Sequence, residues 1–226
     1  MPIANPSRTI VIATGNPHKI EEIGAILRDL GGIELIGLPE AARRIGVDGF
    51  PEPEEGTTSF EANATLKAKA YARATGMTCL ADDSGLSVDA LGGAPGVISS
   101  HYFNDGRTDG AAEGLTRAER DTLNNERLLR ELGNTPPDER AARFLCIMAL
   151  ADPGGEADLV RGAFEGRIGT PDRVPSGDNG FGYDPLFLVA PDFERTSAEL
   201  SNAEKNSMSH RAAAAIAMKR LLEQDA

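Results

Sequence analysis

Residues 9–38 of this chain admit few folds. Residues 9–13 (Thr-Ile-Val-Ile-Ala) are β-branched and apolar, as a buried strand requires. Thr14-Gly15-Asn16-Pro17-His18-Lys19 follows at once. Ile20, Ile23, Ile26-Leu27 and Leu30 then recur at helical spacing, and Gly31-Gly32 stops the run. Asn16 is placed to cap that helix, and Pro17 suits its first turn. Residues 33–38 read as a second strand. Strand, helix and strand in this order make a βαβ unit, so the first half is expected to be α/β. The start of the helix turns unbonded N–H groups toward the glycine turn. Such an end attracts phosphate, and Lys19 adds a full positive charge. The P-loop spacing is absent, so the same residues also describe an ordinary capped helix.

Residues 39–56 read as loop, and 51–56 (Pro-Glu-Pro-Glu-Glu-Gly) as a stiff acidic segment, by itself a solvated one. Thr58-Ser59-Phe60-Glu61 reads as a capping box that opens a helix to about residue 75. Helical spacing puts Asn63 and Lys67 on the face of Phe60 and Tyr71. A lysine there either snorkels to solvent or aims its charge into a site. Residues 77–81 read as a strand that ends at Asp82-Asp83, with Ser84 and Gly85 turning the chain. Adjacent carboxylates at a strand end, with Gly92-Gly93-Ala94-Pro95-Gly96 beyond, suit a hard metal ion and a phosphate-bearing ligand. They equally suit a polar turn that bonds its own backbone.

The second half is richer in strands. Residues 104–114 are a polar, glycine-rich loop, expected to be mobile, and 116–132 a surface helix. Residues 143–151 are almost continuously apolar, as in a central strand. Turn residues at 152–155 and partial alternation over 159–168 add an antiparallel partner, so the sheet is expected to be mixed. Residues 177–185 hold Gly177, Gly180, Phe181, Gly182, Tyr183 and Asp184, and an apolar strand follows. Glycines let backbone approach a ligand, aromatics can stack on a base, and an aspartate can accept from base or sugar. A wide turn with core aromatics is the other reading. A last helix is expected over 207–222 with Ser207 as its cap. His210 and Arg211 then oppose the helix dipole in its first turn, a misfit that an anion between them would remove.

A chain of 226 residues fits one large domain or two small ones. The net charge of −12, without a basic stripe, argues against gripping a nucleic-acid backbone. A single nucleotide needs no more than a few local cations and a metal. Cys79 and Cys146 sit in apolar runs and read as buried thiols. No apolar run approaches the ~20 residues that span a membrane. Residues 1–8 lack the pattern of a signal peptide and are expected to be loose, so a cytoplasmic location is expected.

Taken together, the segments resemble the inosine triphosphate pyrophosphatase family. The matching motifs are Thr14-Gly15-Asn16 with Lys19, Phe60-Glu61 with Asn63-Ala64 and Lys67-Ala68, and Ala81-Asp82-Asp83-Ser84-Gly85-Leu86. They continue with Leu91-Gly92-Gly93-Ala94-Pro95-Gly96, Gly180-Phe181-Gly182-Tyr183-Asp184-Pro185, and Glu204-Lys205 with Ser209-His210-Arg211. They fall in the family's order over residues 10–222. The resemblance implies one α/β domain with a mixed, partly antiparallel central sheet, flanking helices, and two lobes with a cleft between them. It implies a homodimer that hydrolyses ITP, dITP or XTP to the monophosphate and pyrophosphate with Mg2+. By the same resemblance Asp83 is the catalytic base and a metal ligand; Asp82, with Glu54 or Glu55 reaching in from the acidic loop, is expected to join it at the metal. Thr14, Gly15, Asn16, Pro17, His18, Lys19 and Lys67 are placed on the phosphates. Ser84 is placed on the substrate, and Phe181, Gly182, Tyr183, Asp184, Lys205, His210 and Arg211 on the nucleotide. The chain departs from the pattern in two places. His101 stands where the family pattern carries arginine, and the segment 104–122 is longer.

Overall fold

The first apolar run forms β1 (Arg8–Ile12), with Ile10, Val11 and Ile12 buried. In this computed structural model, residues 8–107 and 114–224 are described. The expectations for 1–7 and 108–113 therefore fall outside the described residues. Arg8, grouped with the tail in sequence, is the first residue of β1, and its guanidinium bonds Asp152 at 3.2 Å. Pro17 opens α1 (Pro17–Leu27), as expected, and Ile23 and Leu27 turn inward. β2 (Ile33–Gly37) lies parallel to β1, with Ile10 opposite Leu35. On its other side β1 runs parallel to β3 (Thr78–Val88), Ile10 opposite Thr78. The βαβ unit thus forms as the sequence indicates.

Three more strands complete the sheet: β4 (Ala141–Ala151), β5 (Ala157–Ile168) and β6 (Phe187–Val189). The order is β2-β1-β3-β4-β5-β6. β5 and β6 are antiparallel, with Gly166 opposite Val189, so the sheet is mixed. The apolar run in β4 lies inside the sheet. It is buried continuously from Cys146 to Ala151 and alternates before that.

The chain divides into two compact units. The first takes the residues up to Asp83, Cys146–Gly162, and those from His210 on. Its core joins Ile10 and Ile12 of β1, Ile23 and Leu27 of α1, Leu80 of β3, and Met148 and Leu150 of β4. Ala214, Ala215, Met218 and Leu222 near the C-terminus complete it. The second unit takes Ser84–Leu145 and Ala163–Ser209, with its own core of Leu86, Val88, Leu128, Leu132, Phe164, Phe187 and Tyr183 among others. Phe187 packs against Phe144 and Phe164 at ring separations of 4.7 and 5.4 Å.

The helices correct the sequence reading in three places. First, the segment read as loop begins with a helix, α2 (Leu38–Ile45). Pro39 costs nothing in a first turn whose N–H groups lack partners anyway. Arg44 then ties the helix to Glu40 at 2.9 Å and to Glu34 of β2 at 2.7 Å, and Gly46 closes it at φ +75°. Second, α3 (Phe60–Thr75) is capped by Ser59, whose hydroxyl accepts from the Ala62 N–H at 3.1 Å, rather than by a box on Thr58. Third, the last helix is two. α5 (Asn202–Met208) is capped by Ser201 in a reciprocal pair with Glu204. Ser209 is extended at ψ 156°, and α6 (His210–Gln224) starts after it. Ser207 donates its hydroxyl back to Glu204 O at 2.7 Å and caps nothing. α4 (Arg117–Leu132) forms where expected, with a Thr116–Glu119 capping box. None of the described helices is long and apolar enough to cross a membrane. Cys79 and Cys146 are both buried, without a disulfide.

Candidate active site

β3 does not end at the carboxylates, as the sequence had suggested. It runs on to Val88, so Asp82 and Asp83 lie in mid-strand. Successive strand residues point to opposite faces of a sheet. The two aspartates therefore meet different surroundings, and both are buried. Asp82 Oδ2 faces Lys19 Nζ of α1 at 2.8 Å and Arg211 Nε of α6 at 3.7 Å. Cys146 points its thiol at the same oxygen from 3.9 Å. Asp83 Oδ1 faces Lys67 Nζ of α3 at 3.5 Å.

The two environments drive the acidities apart. Burial is the largest effect on Asp82 and raises its pKa, but Lys19 and Arg211 together outweigh it and hold the carboxyl down to about 2. Asp83 goes the other way. Burial raises it, Lys67 offsets part of that, and Glu55 adds repulsion, so the net shift is upward. Lys67 is itself buried, which lowers its pKa, yet Asp83 and Glu55 win and keep it protonated. Two neighbouring carboxyls with opposite shifts are the usual mark of divided acid–base roles.

Lys67 neither snorkels nor stands alone. Its ammonium also meets Glu55 Oε1 at 2.5 Å, so one cation bridges a loop carboxylate and Asp83. Asn63, one turn earlier on α3, fastens that loop. It accepts from the Gly56 N–H at 2.9 Å and donates to Gly56 O at 3.0 Å. Of the two loop glutamates, both exposed, Glu55 is the one that reaches Lys67.

Arg211 is almost fully buried and bonds Glu22 Oε2 of α1 at 2.6 Å. Glu22 was not picked out from sequence. It lies one turn beyond Lys19, which is the signal that could have marked it. His210 is half-buried, with its ring enclosed. Burial, reinforced by Arg211, pushes the ring well below its ordinary pKa, so it is neutral at physiological pH. The start of α6 sits close on β5, and a side chain at Gly162 would collide with the backbone of His210 and Ala214. At the start of α1, Thr14 Oγ1 accepts from the Asn16 N–H at 3.2 Å, and Asn16 O accepts from the Ile20 N–H. Gly15 is exposed with open space around it. The side chains of Pro17 and His18 lie outside the described residues.

In the second unit, Ser84 continues β3 beyond Asp83. The 177–185 loop is organised by Asp184. Its Oδ2 accepts from the Phe181 N–H at 3.0 Å and from Lys205 Nζ at 3.1 Å, and its Oδ1 from Ser197 at 2.8 Å. Lys205 also donates to Asn179 O at 2.8 Å. Gly180, at φ +114°, has no room for a side chain, which would strike Asp184 and Lys205. The aromatics divide. Tyr183 is core, 4% exposed, and donates its hydroxyl to Ser99 O at 2.7 Å. Phe181 is 42% exposed. At His101, Arg120 Nη1 lies 3.3 Å from Nε2. A guanidinium can only donate, so Nε2 accepts.

Buried carboxylates faced by two lysines and an arginine, with a helix start beside them, are the arrangement of a protein that handles phosphate-bearing anions. The chain belongs to the Ham1 family, which it matches over residues 10–221. It is similar to the dITP/XTP pyrophosphatase of Nitratidesulfovibrio vulgaris, 46% identical over 218 residues, covering 95% of this chain and 94% of that protein. It is 44% identical over 203 residues to the dITP/XTP pyrophosphatase of Exiguobacterium sibiricum, covering 89% of this chain and 90% of that one. Among solved structures, it resembles a HAM1 protein from Coxiella burnetii with a TM-score of 0.79 at 37% identity, covering 96% of this chain and 99% of that chain.

Proposed function

We propose that this chain hydrolyses non-canonical purine nucleoside triphosphates, dITP, ITP and XTP, to the monophosphate and pyrophosphate. The observation that carries the reading is the opposite tuning of Asp82 and Asp83 beside Lys19, Lys67 and Arg211. Full-length similarity to proteins named for that activity supports it.

Asp83, whose burial raises its proton affinity, takes the proton of a water that attacks the α-phosphorus. Asp82 stays ionised and holds Lys19 and Arg211 in place. Lys19 and Lys67 offset the charge of the triphosphate and of the departing pyrophosphate. The residues fit Mg2+. Glu55 and Asp83 converge on one ammonium, and this ion is characteristically held by one or two carboxylates together with phosphate oxygens and water. Bound there, Mg2+ supplies charge neutralisation across the phosphates. Asp82 looks to the other face and serves the cations instead, and Glu55 suits the metal better than Glu54.

On the base side, Lys205 spends two of its three N–H groups on Asn179 and Asp184, which leaves one for a 6-keto oxygen. An adenine amino group would meet that donor with another donor, a mismatch that rejects strongly. Asp184 is occupied by Phe181, Lys205 and Ser197, so its part is to aim the loop. A cytoplasmic location, where buried thiols stay reduced, and a homodimer belong to the same reading. The particle mass in solution checks the second.

The test is pyrophosphate release from ITP, XTP, GTP and dUTP with magnesium. Preference for the 6-keto purines over dUTP is expected, with ITP and XTP ahead of GTP. Preference for dUTP overturns the assignment, and nucleotide binding without pyrophosphate release reduces the protein to a binding module.

A further inference from the structure

Helix α4 touches the loop that carries the exposed aromatic. Arg117, Asp121 and Asn125, spaced four apart, form one stripe on that helix. Asp121 Oδ2 accepts the Gly182 N–H at 2.9 Å, and Asn125 Nδ2 donates to Gly182 O at 3.0 Å. One helix face thus binds both backbone groups of a single glycine. Gly182 is left-handed at φ +61°, a conformation that side chains other than glycine resist. The Arg117 guanidinium carbon stands 4.1 Å from the centre of the Phe181 ring, and Arg117 Nε is 4.0 Å from Asp121. Asp184 fixes the Phe181 N–H from the other side. The ring is therefore pinned at its backbone and covered on one face by a planar cation, yet it remains 42% exposed. A core phenylalanine would be buried, and a loose surface one would lack these ties.

We propose that Arg117, Asp121 and Asn125 are positioning residues for the nucleotide base: they present the open part of the Phe181 ring to a purine for stacking. This deepens the reading above and rests on it. A guanidinium that sets the plane of the ring beforehand reduces the rotamer freedom lost when the base arrives.

The experiment separates the base from the phosphates. Steady-state kinetics with ITP are compared with inhibition by inorganic tripolyphosphate, a probe without a base. Arg117→Ala is expected to raise KM for ITP about fivefold, with kcat within about twofold and tripolyphosphate inhibition unchanged. Asp121→Ala should behave alike, and Asp121→Asn, which keeps an acceptor for the Gly182 N–H, should restore KM. The chain has no tryptophan, so Phe181→Trp installs a single emitter. Inosine monophosphate should quench it, and adding Arg117→Ala should shift that titration to higher concentration. Unchanged KM in both alanine variants overturns the proposal. So does a parallel rise in KM and in the tripolyphosphate constant, which signals general damage. If the unaltered protein releases no pyrophosphate from ITP, the functional reading itself falls. The tryptophan titration then still decides whether the stripe aims a stacking ring.

Discussion

Changing the Asp83 carboxylate to an amide keeps its size and removes its capacity to take a proton. Asp83→Asn is expected to lower kcat at least ~100-fold while the protein stays folded. Near-normal turnover in a folded variant would remove Asp83 as the base. Lys19→Ala should mainly weaken triphosphate binding, seen as a higher dissociation constant in nucleotide titration. Asp82 lends itself to a pH experiment. Its pKa falls from 3.8 to about 2 on folding, so ionised Asp82 stabilises the native state above the higher value. That contribution, about 2 kcal/mol, is lost as pH falls through the lower value. The urea midpoint should drop between about pH 4 and pH 2, and Asp82→Asn should flatten that slope. His210 works on a higher window. Its folded pKa lies below 6.5, so the unfolded chain takes up the proton first and stability declines as pH drops under that value.

The seat of α6 on β5 depends on Gly162 having no side chain. Gly162→Ala should push the start of α6 outward, carrying His210 and Arg211 with it. Both thermal stability and kcat/KM for ITP should fall, whereas a change in melting temperature alone would show that the start of α6 serves packing and not the substrate. What was legible in the sequence follows from the range of the forces involved. β1, α1, β2 and β4 were readable because periodicity and caps act over a few residues. α2 was hidden by Pro39 and by its shortness, and it owes its hold to Glu34, a residue of the preceding strand. The break at Ser209 was hidden by three serines near one another, each a plausible cap. Within the site, the types of the charged residues were visible, but their pairing was not. Arg211 finds Glu22 across 189 positions, a contact that no local pattern encodes.

The two units are assembled from interleaved stretches of chain, three for the first and two for the second. β3, β4 and β5 each contribute residues to both. Neither unit can be cut out as one continuous piece. Deleting the residues from His210 on removes Ala214, Ala215, Met218 and Leu222 from the first core. Such losses exceed typical domain stabilities, so the shortened chain is expected to be insoluble or to lack a cooperative melting transition. A soluble product with a sharp transition would show that the first core closes without α6.

The mid-strand position of Asp82 and Asp83 imposes a parity rule. Each step along β3 exchanges one face for the other, so the difference between the carboxylate that steadies the cations and the one that accepts a proton is the difference between even and odd. One residue inserted between Cys79 and Asp82 would move Asp82 to the place of Asp83 on the other face and carry Asp83 on to the place of Ser84, so no carboxylate would face Lys19 and Arg211. Two residues would restore the faces but displace both carboxylates by about 7 Å along the strand. Length change ahead of the two acids therefore fails by face when it is odd and by reach when it is even, a constraint that substitution tables, which score one position at a time, do not contain.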